Sequence, residues 1–128
     1  MSEGNSTLKD KSFLFAIEII KVYKALADEK REFVLSKQLL RSGTAIGALI
    51  RESQNAESKA DFIHKLGIAQ KECDETLYWL DLLFHSQYLN EHTYREIHEN
   101  ALILLKMLRS AILTTKERYT KDKQPNNS

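Results

Sequence analysis

A chain of 128 residues and 14.8 kDa is long enough to bury about two thirds of the surface its unfolded form would expose, so it needs no disulfide staple. Its single cysteine, Cys73, excludes an internal disulfide and a cysteine zinc cluster, and points to a reducing, cytoplasmic compartment. A formal net charge of +1 gives no global attraction to nucleic acid, and the longest apolar runs are too short to span a bilayer, so no membrane contact is expected.

The opening segment, Met1 to about Asp10, has no apolar signal core and is predicted to fray. Between Phe13 and Ala27, twelve of fifteen residues are apolar, and the exceptions Glu18, Lys21 and Lys24 fall at helical spacing on one narrow stripe. A helix of an isolated bundle needs an apolar stripe somewhat over 100° wide, and this first helix exceeds it, which predicts burial on two sides. The charged link Asp28-Glu-Lys-Arg-Glu32 leads into a second helix, from about Val34 to Asn55, whose main apolar residues are Leu35, Leu39, Ile46, Leu49 and Ile50.

Ser58 and Asp61 form a capping-box-like start to a third helix: the hydroxyl can accept from the Asp61 amide while the carboxylate reaches back. Its stripe of Phe62, Leu66, Ala69, Cys73, Leu77, Leu80 and Phe84 makes Cys73 a small core residue rather than a reactive thiol. Asn90 is a good N-cap for a fourth helix, with Tyr94, Ile97, Ala101, Leu105, Leu108, Ile112, Thr115 and Tyr119 repeating over seven turns. Thr120 to Ser128, holding the only proline, Pro125, is predicted to fray. Strand signals are absent and the links are short. The expectation is an all-α, antiparallel up-and-down four-helix bundle, one domain over 1–128 with its core at about 11–119 and polar flexible tails.

Charge is distributed unevenly. Lys30, Arg31, Lys37, Arg41 and Arg51 against Glu32 leave +4, whereas the segment from Glu72 to Glu99 sums to −6 and that from Lys106 to Lys123 returns to +4. Solvated faces and salt bridges between subunits account for this pattern better than a nucleic-acid patch does.

The stretch RSGTAIGALIR, Arg41 to Arg51, poses a choice between a phosphate cradle and a close helix crossing. A Walker loop needs a preceding strand and a terminal Gly-Lys-Ser/Thr, and a dinucleotide fingerprint needs a third glycine in register; neither is present. Gly43 and Gly47 are four apart, one helical turn, and share a face with Ser36, Ser42 and Ala48 as small neighbours. They read as helix close-packing residues.

The same stretch carries a resemblance. The run LLRSGTAIGALIRESQNAESKADFIHKLGIAQKECDETLYWLDLL, Leu39 to Leu83, with KSFLFAIEIIKVYKAL and EFVLSKQLLRSG upstream, resembles the four-helix-bundle family of 23S rRNA intervening-sequence, or S23, proteins. Its most specific parts are Arg41-Ser42-Gly43-Thr44, Gly47-Ala48, Arg51-Glu52 and the block from Glu75 to Leu80. The family is also similar to the accessory variability protein of diversity-generating retroelements. One departure is Leu49, where the family commonly has Asn after Gly-Ala, so no contact of that Asn carries over. The resemblance implies an all-helical protomer that assembles as a ring-like homo-oligomer, typically a homopentamer, and an association with RNA.

Candidate chemistry is sparse. Asp61-x-x-His64 and Glu72-x-x-Glu75 lie off the core stripe, and the di-iron pattern of paired Glu-x-x-His motifs is missing, so no metal and no cofactor is expected. His85, His92 and His98 read as surface histidines near the last link, and no catalytic triad can be assembled from spacing. Tyr78 and Trp79 are adjacent, so at least one turns away from the core; with Asp74, Glu75 and Asp81 nearby, they suit an oligomer interface better than a nucleic-acid base. The expected function is a non-enzymatic scaffold associated with RNA or a ribonucleoprotein. Lys37, Arg41, Arg51, Lys106 and Arg109 are the candidate phosphate contacts. The alternative is an adaptor that binds a protein, such as a reverse transcriptase, without touching RNA.

Overall fold

The computed structural model describes residues 7–123, apart from the side chains of Tyr119, Asp122 and Lys123. It contains four helices, α1 (Leu8–Asp28), α2 (Leu35–Ser53), α3 (Lys59–His85) and α4 (Glu91–Lys123), and no strand among the described residues. Each helix packs on the next and α4 closes back on α1 over a shorter stretch, while the backbones of the diagonal pairs α1/α3 and α2/α4 do not approach closely. Cross-links show the antiparallel run: Ser12 and Ile19 of α1 lie against Gly47 and Gly43 of α2, and Cys73 and Asp81 of α3 bond Ala101 and Tyr94 of α4.

Local chemistry sets the helix ends. Thr7 caps α1 by accepting from the Asp10 amide at 3.3 Å, so the helix starts at Leu8, inside the segment predicted to fray, and Leu8 itself packs on the core. α2 has no side-chain bond from its N-cap residue, Val34; the link residue Glu32 supplies it instead, its carboxylate accepting from the amides of Val34, Leu35 and Ser36 at 3.1, 3.0 and 2.7 Å. Ser58 accepts from the Asp61 amide at 3.0 Å as expected, whereas the Asp61 carboxylate reaches Glu57, one residue before the cap. α3 ends in a Schellman arrangement: Gln87 takes a φ of 69°, Tyr88 N–H donates to Leu83 and Gln87 N–H to Phe84. Asn90 caps α4 by accepting from Thr93 at 2.8 Å. No glycine or proline follows before Pro125, so α4 runs to Lys123, past Thr120, where the polar tail is predicted to begin. The tail expectations for 1–6 and 124–128, and the packing of Tyr119, fall outside the described residues.

One hydrophobic cluster joins all four helices. Phe15, Ile19, Val22 and Leu26 meet Leu39, Ile46 and Ile50, then Leu66, Ala69, Cys73, Leu80 and Leu83, then Ile97, Ala101, Leu104, Leu105 and Leu108. Thr76, Leu83 and Leu104 occupy core positions that the predicted stripes omitted, while Leu77 and Phe84 move to its margin. A 3.6-residue helix drifts against a fixed spacing of three and four, which slips the stripe by one residue along a helix this long. α1 is buried along a single stripe; its opposite side leaves Phe13 53 % and Leu14 62 % exposed, so burial on two sides is not achieved within one chain.

Candidate nucleic-acid interface

The small face of α2 fixes how α1 and α3 approach it. A Cβ on Gly43 would stand 2.8 Å from Ile19 Cγ1, so the glycine lets the Ile19 side chain lie on the α2 backbone. At Gly47 the nearest atoms, the oxygens of Ser12, are 3.4 Å away, an ordinary contact. On the other side, the buried hydroxyls of Ser42 and Thr76 lie 3.0 Å apart and tie α2 to α3. Gly67 of α3 differs from both, since nothing of the chain lies within 4 Å of its Cβ position.

Of the five candidate cations, Arg41 is engaged inside the chain. Its guanidinium bonds Glu72 at 3.3 Å and also Glu75, and the Glu75 bond above all holds its pKa above the ordinary value. Glu75 in turn accepts from the Trp79 indole at 3.1 Å, and that bond, with Arg41, depresses its pKa despite the opposing effect of burial. Trp79 is thereby held half-buried against the core, while Tyr78 projects with 56 % of its surface exposed. Lys37 is exposed on α2, and Arg51 sits 5.9 Å over the exposed Phe13 ring.

Lys106 and Arg109 are exposed on α4, which is diagonal to α2, so the five cations do not form one patch. Lys9 bridges part of the gap, because it lines both the α1–α2 groove that contains Arg51 and the α1–α4 groove that contains Lys106. Sequence reasoning missed Lys9 because it falls in the segment predicted to fray. Beyond Leu113, α4 keeps Lys116, Arg118 and Lys121 exposed on a helix that no longer contributes to the core. Arg51, Lys9, Lys106 and this projection gather positive charge at the end of the bundle where α1 begins and α2 ends.

The remaining candidates are structural. Burial, aided by Asp74, pushes the Cys73 thiol up to about 12, so it stays protonated, and it donates to the Ala101 carbonyl at 3.3 Å. His85 and His92 are exposed as expected, but His98 is half-buried with Nε2 3.5 Å from Asp81. Tyr94 donates to the same carboxylate at 2.6 Å, and its hydroxyl is pushed up to about 12 by that bond and by burial. Among the described residues no group of three or more His, Cys, Asp or Glu is placed to hold a metal ion, and no helix is long and apolar enough to cross a membrane.

These features define a compact antiparallel four-helix bundle with a tight α1–α2 crossing and a surface rich in unpartnered apolar groups. The family to which it belongs follows from comparison: residues 5–110 match the 23S rRNA-intervening sequence protein family, and the chain is a member of it. A crystal structure of a protein of unknown function from the S23 ribosomal protein family of Bacteroides thetaiotaomicron is 51% identical, with a TM-score of 0.82 over 83% of this chain and 98% of that one. No curated protein matches the chain. The outer part of α4, from 111 onward, lies beyond the family match.

Proposed function

We propose that the chain is a non-enzymatic protomer of a ring-like homo-oligomer, most simply a homopentamer, that serves as a scaffold for RNA or a ribonucleoprotein. The observation that carries this reading is the set of large apolar side chains left in water: Phe13, Leu14, Ile17 and Ile20 on α1, and Leu102, Ile103 and Leu113 on α4. Scattered exposed hydrophobics are ordinary, but four within two turns of one helix form a continuous patch of the kind that marks an interface. The ring is what the family resemblance implies, and the name of the family supports RNA.

The basic end supports RNA on separate grounds. Lys9, Arg51, Lys106 and Lys116 are exposed, so each can meet a phosphate, and cyclic symmetry would repeat them around one rim of the ring. Arg41 is removed from this set because its charge is answered by Glu72 and Glu75. That occupation of one of the two arginines in the family-specific motifs favours, as a second reading, a protein-binding adaptor with no RNA contact. The deciding measurement is retention of cellular RNA by the purified protein at low and high salt. Retention that falls steeply with salt, and less steeply after Lys106→Gln with Lys116→Gln, supports the scaffold reading; protein free of RNA even at low salt moves the assignment to the adaptor.

A further inference from the structure

We infer that neighbouring copies in this assembly meet through two different faces, the outward stripe of α1 on one copy seating on the outward stripe of α3 on the next. The inference rests on the oligomer proposed above and assigns its contact surfaces. Phe13, Ile17, Ile20 and Lys24 recur at i, i+4, i+7 and i+11 on α1, and all four are exposed. On α3, Gly67, Lys71, Asp74 and Tyr78 recur at the same spacing; the last three are exposed, and Gly67 meets no other part of the chain.

Three observations pair these stripes. The first is steric: a glycine in the middle of a 27-residue helix, opposed by nothing in its own chain, leaves room for a large side chain from outside. Phe13 is the bulkiest exposed group of the α1 stripe.

The second is register. Phe13 lies under Arg51, and the adjacent Glu52 bonds Lys65, so Phe13 and Gly67 stand within about one turn of each other along the bundle. Higher up, Ile19 packs on Gly43 and the adjacent Ser42 meets Thr76, which sets Ile20 level with the Asp74 to Tyr78 segment. Copies standing side by side in the same orientation therefore bring Phe13 to Gly67 and, seven residues further along each helix, Ile20 to Asp74, with an axial shift of no more than about one turn.

The third is charge. Lys21 and Lys24 continue the α1 face, while α3 presents the exposed Asp74, which makes no ion pair among the described residues. Opposite charges within about one turn of each other favour this orientation over its reverse. Lys71 lies lower, where its stem can cover Leu14 and its ammonium stay in water. Because α1 and α3 are diagonal in the bundle, the two stripes point to opposite sides, so the contact is head-to-tail and each copy uses both faces.

Two variants of the full-length chain test this. Ile17→Glu with Ile20→Glu disables the α1 face, and Gly67→Arg with Tyr78→Lys disables the α3 face; all of these positions lie outside the core, and circular dichroism checks folding. Native mass spectrometry of each alone should show monomer, and of the two mixed should show a single species of twice the protomer mass and nothing larger, since only one working contact is left. As a measurement that leaves the faces largely intact, Ile17→Cys with Asp74→Cys in one chain should oxidise to a ladder of covalent oligomers, whereas either cysteine alone gives none. Wild-type assembly retained by the Gly67/Tyr78 variant, a mixture that stays monomeric, or cross-linking by Ile17→Cys alone would overturn the pairing while leaving the oligomer intact. A monomeric wild-type chain would remove both proposals together.

Discussion

At Glu32 a single side chain replaces a conventional cap. Burial of this carboxylate favours its neutral form, but the amides of Leu35, Ser36 and Val34 together outweigh burial and hold its pKa below the ordinary carboxylate value. A group whose pKa is lower in the folded than in the unfolded state binds fewer protons when folded, so its stabilisation is present above the unfolded value and is lost as pH falls through the folded one. Glu32→Gln should therefore cost about 1.5–3 kcal/mol at pH 7, the range for hydrogen bonds to a charged group. The difference from wild type should shrink below about pH 4, near the unfolded carboxylate value. Urea melts at several pH values measure it, and a pH-independent deficit would show that the lost charge is not the cause. The glycines separate at the same scale. Gly43→Ala drives a Cβ into Ile19 and should cost about 1–3 kcal/mol, whereas Gly47→Ala, at ordinary contact distance from Ser12, should be tolerated, and only a larger side chain there should disturb the α1–α2 packing. Equal melting temperatures for Gly43→Ala and wild type would contradict the close approach.

At the scale of the helix, α4 is the outlier. Its 33 residues extend about 50 Å, against about 32 Å for the 21 residues of α1, and among the described residues its last buried one is Leu108. Beyond Leu113 the described side chains add nothing to the core, so these turns rest mainly on backbone hydrogen bonds and helix propensity, and such segments open with little free energy. Hydrogen exchange should show fast amides from Lys116 to Lys121 and strong protection from Ala101 to Leu108. Uniform protection along α4 in the assembled protein would mean that a neighbouring copy or RNA covers the projection. The existence and order of the helices were legible in sequence because apolar spacing, Asn90 and Ser58 are local signals. Glu32 was not, because a carboxylate in a run of charged residues carries no mark of the three amides that fold back onto it. Nor was the engagement of Arg41, since its partners lie 31 and 34 positions away and only the α2–α3 packing brings them together. Gly43 and Gly47 read alike in sequence; which of them is the tighter contact depends on whether Ile19 or Ser12 arrives opposite, a matter of register between two helices.

At the scale of the molecule, the first helix supplies the strongest argument. Its composition calls for burial on two sides, and the bundle satisfies one. Removing the remaining apolar surface from water gains about 25 cal/mol per Å² before the costs of association are subtracted, so a second chain is the natural cover. If folding and assembly are coupled in this way, stability must depend on protomer concentration, because dilution shifts the equilibrium toward dissociated and then unfolded chains. The melting temperature should rise steadily between about 1 and 100 μM protein, and Ile17→Glu with Ile20→Glu should both lower it and abolish that dependence. The double variant also separates two accounts of the exposed face. Were these side chains merely tolerated surface residues, replacing them by glutamate would change stability by no more than about 0.5 kcal/mol and leave the melting temperature equally insensitive to concentration in both proteins. A flat dependence in the wild type, together with a monomer mass in solution, is the outcome that defeats the coupled-assembly argument; a dimer or tetramer with a rising melting temperature leaves it standing and corrects only the number five.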